Sequence, residues 1–388
     1  MIAKRKCLIF FSFLITFIFL IFSQSTFVVN ADALTDGIDE QLKNLDLKEL
    51  ETFFNSLNLG GLIDFNTIIT GLLKGEYDFD YNSLFSYLAG VLFSDIIKLI
   101  PTFISIIAIS IFCLIVQNLK SSCLSDSVAE IIFFVCICAV ISLVLSHVLT
   151  ITKNVKIVIE NIANLTEIMS PIIITLMVAV GGNVSASVYK PSVAFLSSGI
   201  INVFMYAVIP LISFMTIFNI ANNFSSSIKL GKFSDFFAST IKWIIGIVIT
   251  IFTMFLSVQG ITCANFDGIS VKAAKYAISN SIPLVGGFLK DGFDLVIAGS
   301  VLIKQSVGFA VLFALFILVF SPVINMVAFS LLLKLVSSII EPISDVRISN
   351  FCMGLSKTVS YLIASILSVG FMVFITVLLM IFSANAFI

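Results

Sequence analysis

His147 is the one histidine in the chain, and it stands in an apolar run, LSHVLT. A general base or metal ligand there would need carboxylates or further histidines nearby in sequence, and none accompany it. Cys136 and Cys138 are two residues apart. On a helix that spacing sets them roughly 200° apart, so one helix cannot turn both toward a metal ion. The seven cysteines (7, 113, 123, 136, 138, 263 and 352) lie mostly in apolar runs. They show neither metal-ligand spacing nor a secreted disulfide framework. No H-E-x-x-H, phosphate loop or G-x-S-x-G is present, so neither a zinc protease, an ATPase nor a serine hydrolase is indicated. Any energy requirement would be met by a partner or a gradient. Asp267 precedes Gly268 and reads as a turn or cap residue rather than an intramembrane protease aspartate.

The elements around these residues belong to a membrane. Of 388 residues, 59% are apolar and 11% charged, and the mean hydropathy is +1.17. A soluble domain carries about 25% charged residues. Forty-three ionic side chains cannot cover a soluble globule of this length, which excludes an ordinary cytosolic enzyme and a disordered chain. Long apolar runs with 40 Phe and little alternation indicate helices rather than an outer-membrane barrel. The fold class expected is all-α, a polytopic helical membrane protein. No basic patch suggests nucleic acid. Nineteen of 21 basic residues are Lys, with Arg5 and Arg347 the exceptions, a composition typical of low-GC coding.

Lys4, Arg5 and Lys6 precede an apolar run from Cys7 to Phe22, and Ala31-Asp32-Ala33 comes after it. This is the pattern of a secretory signal peptide over 1–33. It places the residues after 33 outside the cytoplasm. Residues 34–95 form an acidic extracytoplasmic helical module with 11 acidic residues against Lys43, Lys48 and Lys74. Leu50, Phe53, Phe54 and Leu57 share one helical face, as do Phe65, Ile68, Ile69 and Leu72. Gly60-Gly61 and Gly75 end those helices, and Asp80 caps a third. Some 60 residues cannot build a large core alone, so the module is expected to pack on the membrane surface or on a partner.

Residues 96–388 form a multi-span helical membrane domain. A spanning helix needs about 20 apolar residues. About seven such stretches come after the signal peptide, near 99–117, 131–151, 169–189, 194–218, 243–261, 307–333 and 359–383. Gly181-Gly182-Asn183 interrupts the third. Lysine counts on the two sides do not decide orientation, which rests on the signal peptide.

Residues 259–306 are not generic. Val271, Ala274, Ala277 and Ile278 share one helical face, with Lys272 and Lys275 nearby on another; Pro283 and Gly286-Gly287 break the chain; Lys290, Asp291, Asp294 and Lys304 punctuate a second apolar run. Two readings fit: an amphipathic helix pair at the interface, or a segment that lines or gates a cavity. The run FDGISVKAAKYAISNSIPLVGGFLKDGFDLVIAGSVLIKQSVG, Phe266 to Gly308, resembles the signature region of the stage III sporulation protein AE family, and the layout of the whole chain agrees. The resemblance implies an integral membrane subunit of the sporulation complex linking mother cell and forespore. It implies a place in the mother-cell (outer forespore) membrane during sporulation. It also implies a part in a transenvelope channel and in late forespore gene expression. The partners it implies are other membrane subunits of that complex, a forespore channel protein and the lipid bilayer. It implies no enzyme, no cofactor and no catalytic or metal residue. The candidate gating or interaction segment comprises Asp267, Gly268, Lys272, Lys275, Pro283, Gly286, Gly287, Lys290, Asp291, Asp294 and Lys304.

The alternative function is a secondary transporter or permease of small molecules. It would use midplane polar groups such as Asn183 with Ser185, and Gln259 with Asn265. Few charges lie within the spans, which argues against proton pumping. In a structural channel subunit, small residues such as Ser197, Ser198 and Gly199, or Ala364 and Ser365, would permit close helix contact.

Overall fold

Apolar side chains on every face of a segment leave the backbone no solvent to bond, so each segment satisfies its own N–H and C=O groups as a helix. In the computed structural model, residues 47–56, 65–74, 81–119, 126–224, 230–281, 286–342 and 346–383 are described, and they contain no strand. The helices are α1 (Lys48–Ser56), α2 (Phe65–Lys74), α3 (Tyr81–Leu119), α4 (Asp126–Ala179), α5 (Asn183–Ala194), α6 (Ile209–Phe224), α7 (Gly231–Ser281), α8 (Gly286–Ile340) and α9 (Val346–Phe382). Between α5 and α6 the helix never breaks. It passes through two π-helical stretches, Phe195–Ile200 and Phe204–Val208, separated by one short α-helical turn.

Among the described residues six helices are long and apolar enough to cross a membrane: Ala89–Val116, Glu130–Ala179, Asn183–Phe224, Gly231–Ser257, Val296–Ile340 and Val346–Phe382. The all-α polytopic expectation holds, but the stretch near 169–189 is not a helix of its own. Its first half ends α4 and its second half starts α5. The reason is local. Gly182 N–H bonds the Met177 carbonyl at 2.8 Å and Gly181 N–H bonds the Val178 carbonyl at 2.9 Å. Those bonds form a Schellman cap, whose pivot needs a left-handed residue. Gly181 supplies it, with φ of 89°. The chain therefore reverses within three residues instead of crossing as a separate span.

The long helices run antiparallel in pairs. One end of the bundle, the loop end, holds the α3–α4, α6–α7 and α8–α9 connections. The opposite end, the far end, holds the α4–α5 turn and the C-terminus of α9. Residues 1–33 and 34–46 lie outside the described residues. Two of the expected amphipathic helices of the acidic module are present as α1 and α2, with Leu50, Phe53, Phe54, Ile68 and Ile69 buried. They pack on the bundle itself, α1 against α4 and α2 against α8.

The centre is the α8–α9 pair. Two thirds of each span (67%) is buried within the chain, against 11% of the α7 span. One antiparallel register runs along this pair. Ser337 meets Ser349 and Ser330 meets Ser356, each with hydroxyl oxygens 2.9 Å apart. Further along, Gly370 faces Val319 and Gly308 faces Ile381. A Cβ on Gly370 would come within 2.7 Å of Val319 Cγ2, so the two backbones approach as closely as glycine permits. Gly370→Leu is expected to destabilise the purified protein by about 1–3 kcal/mol, read as a lowered unfolding temperature in detergent. Gly246→Ala, whose Cβ meets nothing within 4 Å, should leave that temperature unchanged.

Candidate functional site

Polar side chains buried in an apolar bundle either hold helices together or mark where the protein works. They fall into three groups along the axis. At the loop end, Asn219 on α6 donates to the Phe351 carbonyl on α9 at 3.2 Å and packs against Gly354. Asn223 donates back to the Asn219 carbonyl at 2.8 Å. Arg347 lies over the Phe133 ring at 3.8 Å, joining α9 to α4 through a cation–π contact. An exposed ion pair, Lys357 with Asp235 at 2.8 Å, links α9 to α7.

Midway, Asp95 and Asn325 join α3 to α8, with Asn325 Nδ2 donating to Asp95 Oδ2 at 2.7 Å. Lys98 lies 3.4 Å from the other carboxylate oxygen and is itself 72% exposed. Two turns further along α3, Thr102 Oγ1 and His147 Nε2 are 3.3 Å apart, and the His147 ring meets Phe329 with centroids 6.0 Å apart. His147 thus joins three helices. Hydropathy alone set Asp95 outside the membrane domain, because the first span it marks begins at 99. Asn325, 230 residues later, could not be paired with it by spacing. The one available signal was an Asp–Lys pair one turn apart at the start of an apolar run.

At the far end sits the third group. Lys304 on α8 is fully buried (0% exposed). Its ammonium donates to the Ser383 carbonyl, just past the end of α9, at 2.6 Å. The last carbonyls of a helix have no partner within it and carry the negative end of its dipole. A cation is the group that suits that position. Ser383 also reaches Met177 Sδ at 3.9 Å, so α4, α8 and α9 converge beside the Schellman turn. Gln259 on α7 is buried and donates to Ser192 on α5.

The candidate segment 259–306 is not a separate helix pair. It continues two spanning helices, with Asp267, Gly268, Lys272 and Lys275 on α7 and Gly286, Gly287, Lys290, Asp291, Asp294 and Lys304 on α8. Pro283 lies outside the described residues. At 260–275 and 286–295 only the backbone is described, so of the charged residues singled out there, Lys304 is the one with a defined environment. Of the polar groups considered for transport, Ser185 is buried and Asn183 exposed. Among the described residues no group of three or more His, Cys, Asp or Glu could hold a metal ion.

These features define a polytopic, all-helical membrane protein built on one buried antiparallel helix pair. The family model for stage III sporulation protein AE matches residues 63–384, and the chain belongs to that family; its role is in sporulation. It is 26% identical to stage III sporulation protein AE of Bacillus subtilis (strain 168), over 92% of this chain and 92% of that protein. No solved structure matches it.

Removing the Lys304 cation leaves a buried carbonyl without that donor, a loss of about 1–3 kcal/mol. Lys304→Met is therefore expected to lower the unfolding temperature in detergent. Lys98→Met, at an exposed position, should not.

Proposed function

We propose that this protein is an integral membrane subunit of the sporulation complex that links mother cell and forespore. It resides in the mother-cell (outer forespore) membrane. It is needed for a transenvelope channel and, through it, for late forespore gene expression. Its partners are other membrane subunits of that complex, a forespore channel protein and the bilayer; nucleic acid is not among them. The observation that carries this reading is the family match, which spans α2 to α9 and so takes in the entire membrane domain.

The bundle's construction supports a structural role. Its polar groups are spent on cross-helix contacts, Asp95 with Asn325, Ser330 with Ser356 and Lys304 with Ser383, as expected of a packed scaffold. The signature run covers the C-terminal part of α7 and the start of the central α8. A gating or interaction role for Lys272, Lys275 and their neighbours would connect the edge of the bundle to its core.

Deleting the gene should stall forespores after engulfment while vegetative growth is unaffected. A vegetative uptake defect with normal sporulation would instead favour a small-molecule permease. The double change Lys272→Glu, Lys275→Glu should sharply reduce spore yield while the protein still inserts in the membrane; a full spore yield would remove that segment from the mechanism.

A further inference from the structure

The kind of side chain that faces outward changes partway along the helices. On α4 the exposed large residues near the loop end are Ile131, Phe134, Val135 and Leu149. Past them the exposed residues become Lys153, Asn154, Lys156, Glu160, Asn164 and Glu167. The same change occurs on the next leg of the bundle. There α5 exposes Asn183, Ser187 and Lys190, whereas from Phe195 toward the loop end the large exposed residues are Val203, Tyr206, Phe214 and Ile217. On α3 the exposed apolar series runs from Phe93 to Ile115; α7 exposes Phe233 to Met254, and beyond Gln259 Tyr276 is the one side chain of α7 that is described, 71% exposed.

The central pair changes in step. Near the loop end, α8 and α9 expose Val327, Leu331, Leu335 and Met353. Beyond it they are hidden: from Ile297 to Met326 Gln305 alone is exposed, and from Tyr361 to Ile381 no residue is. Apolar helices covered by polar-faced ones is how a protein packs in water. Apolar side chains presented outward around a whole circumference is how it packs in lipid. Ile157, Val178, Tyr276, Val296 and Phe382 are exposed in the far half, singly, as on any soluble surface.

Counted from the loop end, the apolar belt covers about 23–29 residues of α3, of α4 and of the α5–α6 leg, roughly 35–45 Å at 1.5 Å per residue. A bilayer offers about 30 Å of hydrocarbon, or about 40–45 Å with its headgroups. One bilayer fits the belt and nothing remains of it for the rest. Beyond the belt α4 continues to Ala179, about 28 residues or roughly 40 Å more.

We infer that the bilayer covers only the loop-end half of the bundle, and that the far half, with Lys304 and the α4–α5 turn, stands in water. The N-terminal end of α3 lies in that far half. The signal-peptide reading therefore puts the projection outside the cytoplasm, on the side of the 34–95 module. There it is open to the soluble parts of other subunits, while lipid-embedded partners are confined to the belt.

Single cysteines in a full-length protein whose seven native cysteines are serine test this. Far-half positions are Glu160→Cys, Glu167→Cys and Lys190→Cys; belt positions are Ser142→Cys, Ser213→Cys and Thr250→Cys. A thiol in hydrocarbon ionises poorly, so the far-half sites should react with a membrane-impermeant maleimide at least about tenfold faster than the belt sites. The reaction should occur in intact vegetative cells made to produce the protein and stripped of their wall, where the outer membrane face meets the reagent directly. Reaction of all three far-half sites only after permeabilisation would reverse the orientation and overturn the signal-peptide reading, yet still support the half-covered bundle. Silence at 160, 167 and 190 under both conditions overturns the inference. So does labelling of 160 and 190 from opposite sides, or ready labelling in the belt.

Discussion

Close contact between α8 and α9 is the constraint that the other helices obey. Its tightest points, Gly370 against Val319 and Gly308 against Ile381, leave no room for a side chain where the glycines stand. Ser330–Ser356 and Ser337–Ser349 fix the same register from the other end, each hydroxyl also reaching its partner's carbonyl. Where the Ser pairs lie, within the lipid belt, lipid offers no hydrophobic drive to join one apolar helix to another, so steric fit and hydrogen bonds must do it. Once these two are locked, α3 and α4 have a surface to pack on, and α6 is tied to α9 through Asn219.

Much of this could be read in advance, and what escaped did so for physical reasons. The apolar spans follow from composition because a bilayer forces helices. The faces of α1 and α2 follow from i, i+3, i+4 spacing at Leu50, Phe53, Phe54 and at Ile68, Ile69. The expected span near 169–189 failed because hydropathy averages over Gly181-Gly182 and cannot see a three-residue cap. Asp95–Asn325 escaped because a pairing 230 residues apart leaves no local trace. The burial of Lys304 was hidden for a related cause: a lysine in a charged-looking segment reads as surface, and its partner is a backbone carbonyl 79 residues away. The segment 259–306 is not a helix pair apart from the spans, as its charges suggested: residues 259–281 continue α7 and 286–306 begin α8.

The two hairpins that complete the bundle are unequal. α8 and α9 are enclosed, while the α7 span keeps Trp243 70% and Met254 69% exposed. α7 packs on α6 through Phe233 and Phe237 against Phe218, and is tied by Asp235 to Lys357 at the loop end and by Gln259 to Ser192 further up. The π-helical stretches between α5 and α6 lie beside it, with Phe195 against Phe255. Widened turns of this type recur at functional positions in helices.

The central position of α9 also bears on how the molecule is made. Ribosomes release chains from the N-terminus onward, and α9 is the last helix to emerge. The five preceding spans enter the bilayer before the surface around which they pack exists. Ser330, Ser337 and Asn219 await hydrogen-bonding partners that lie in the final 40 or so residues. A nascent chain stalled short of Val346 is therefore a set of inserted helices that lacks half of the pair on which they assemble.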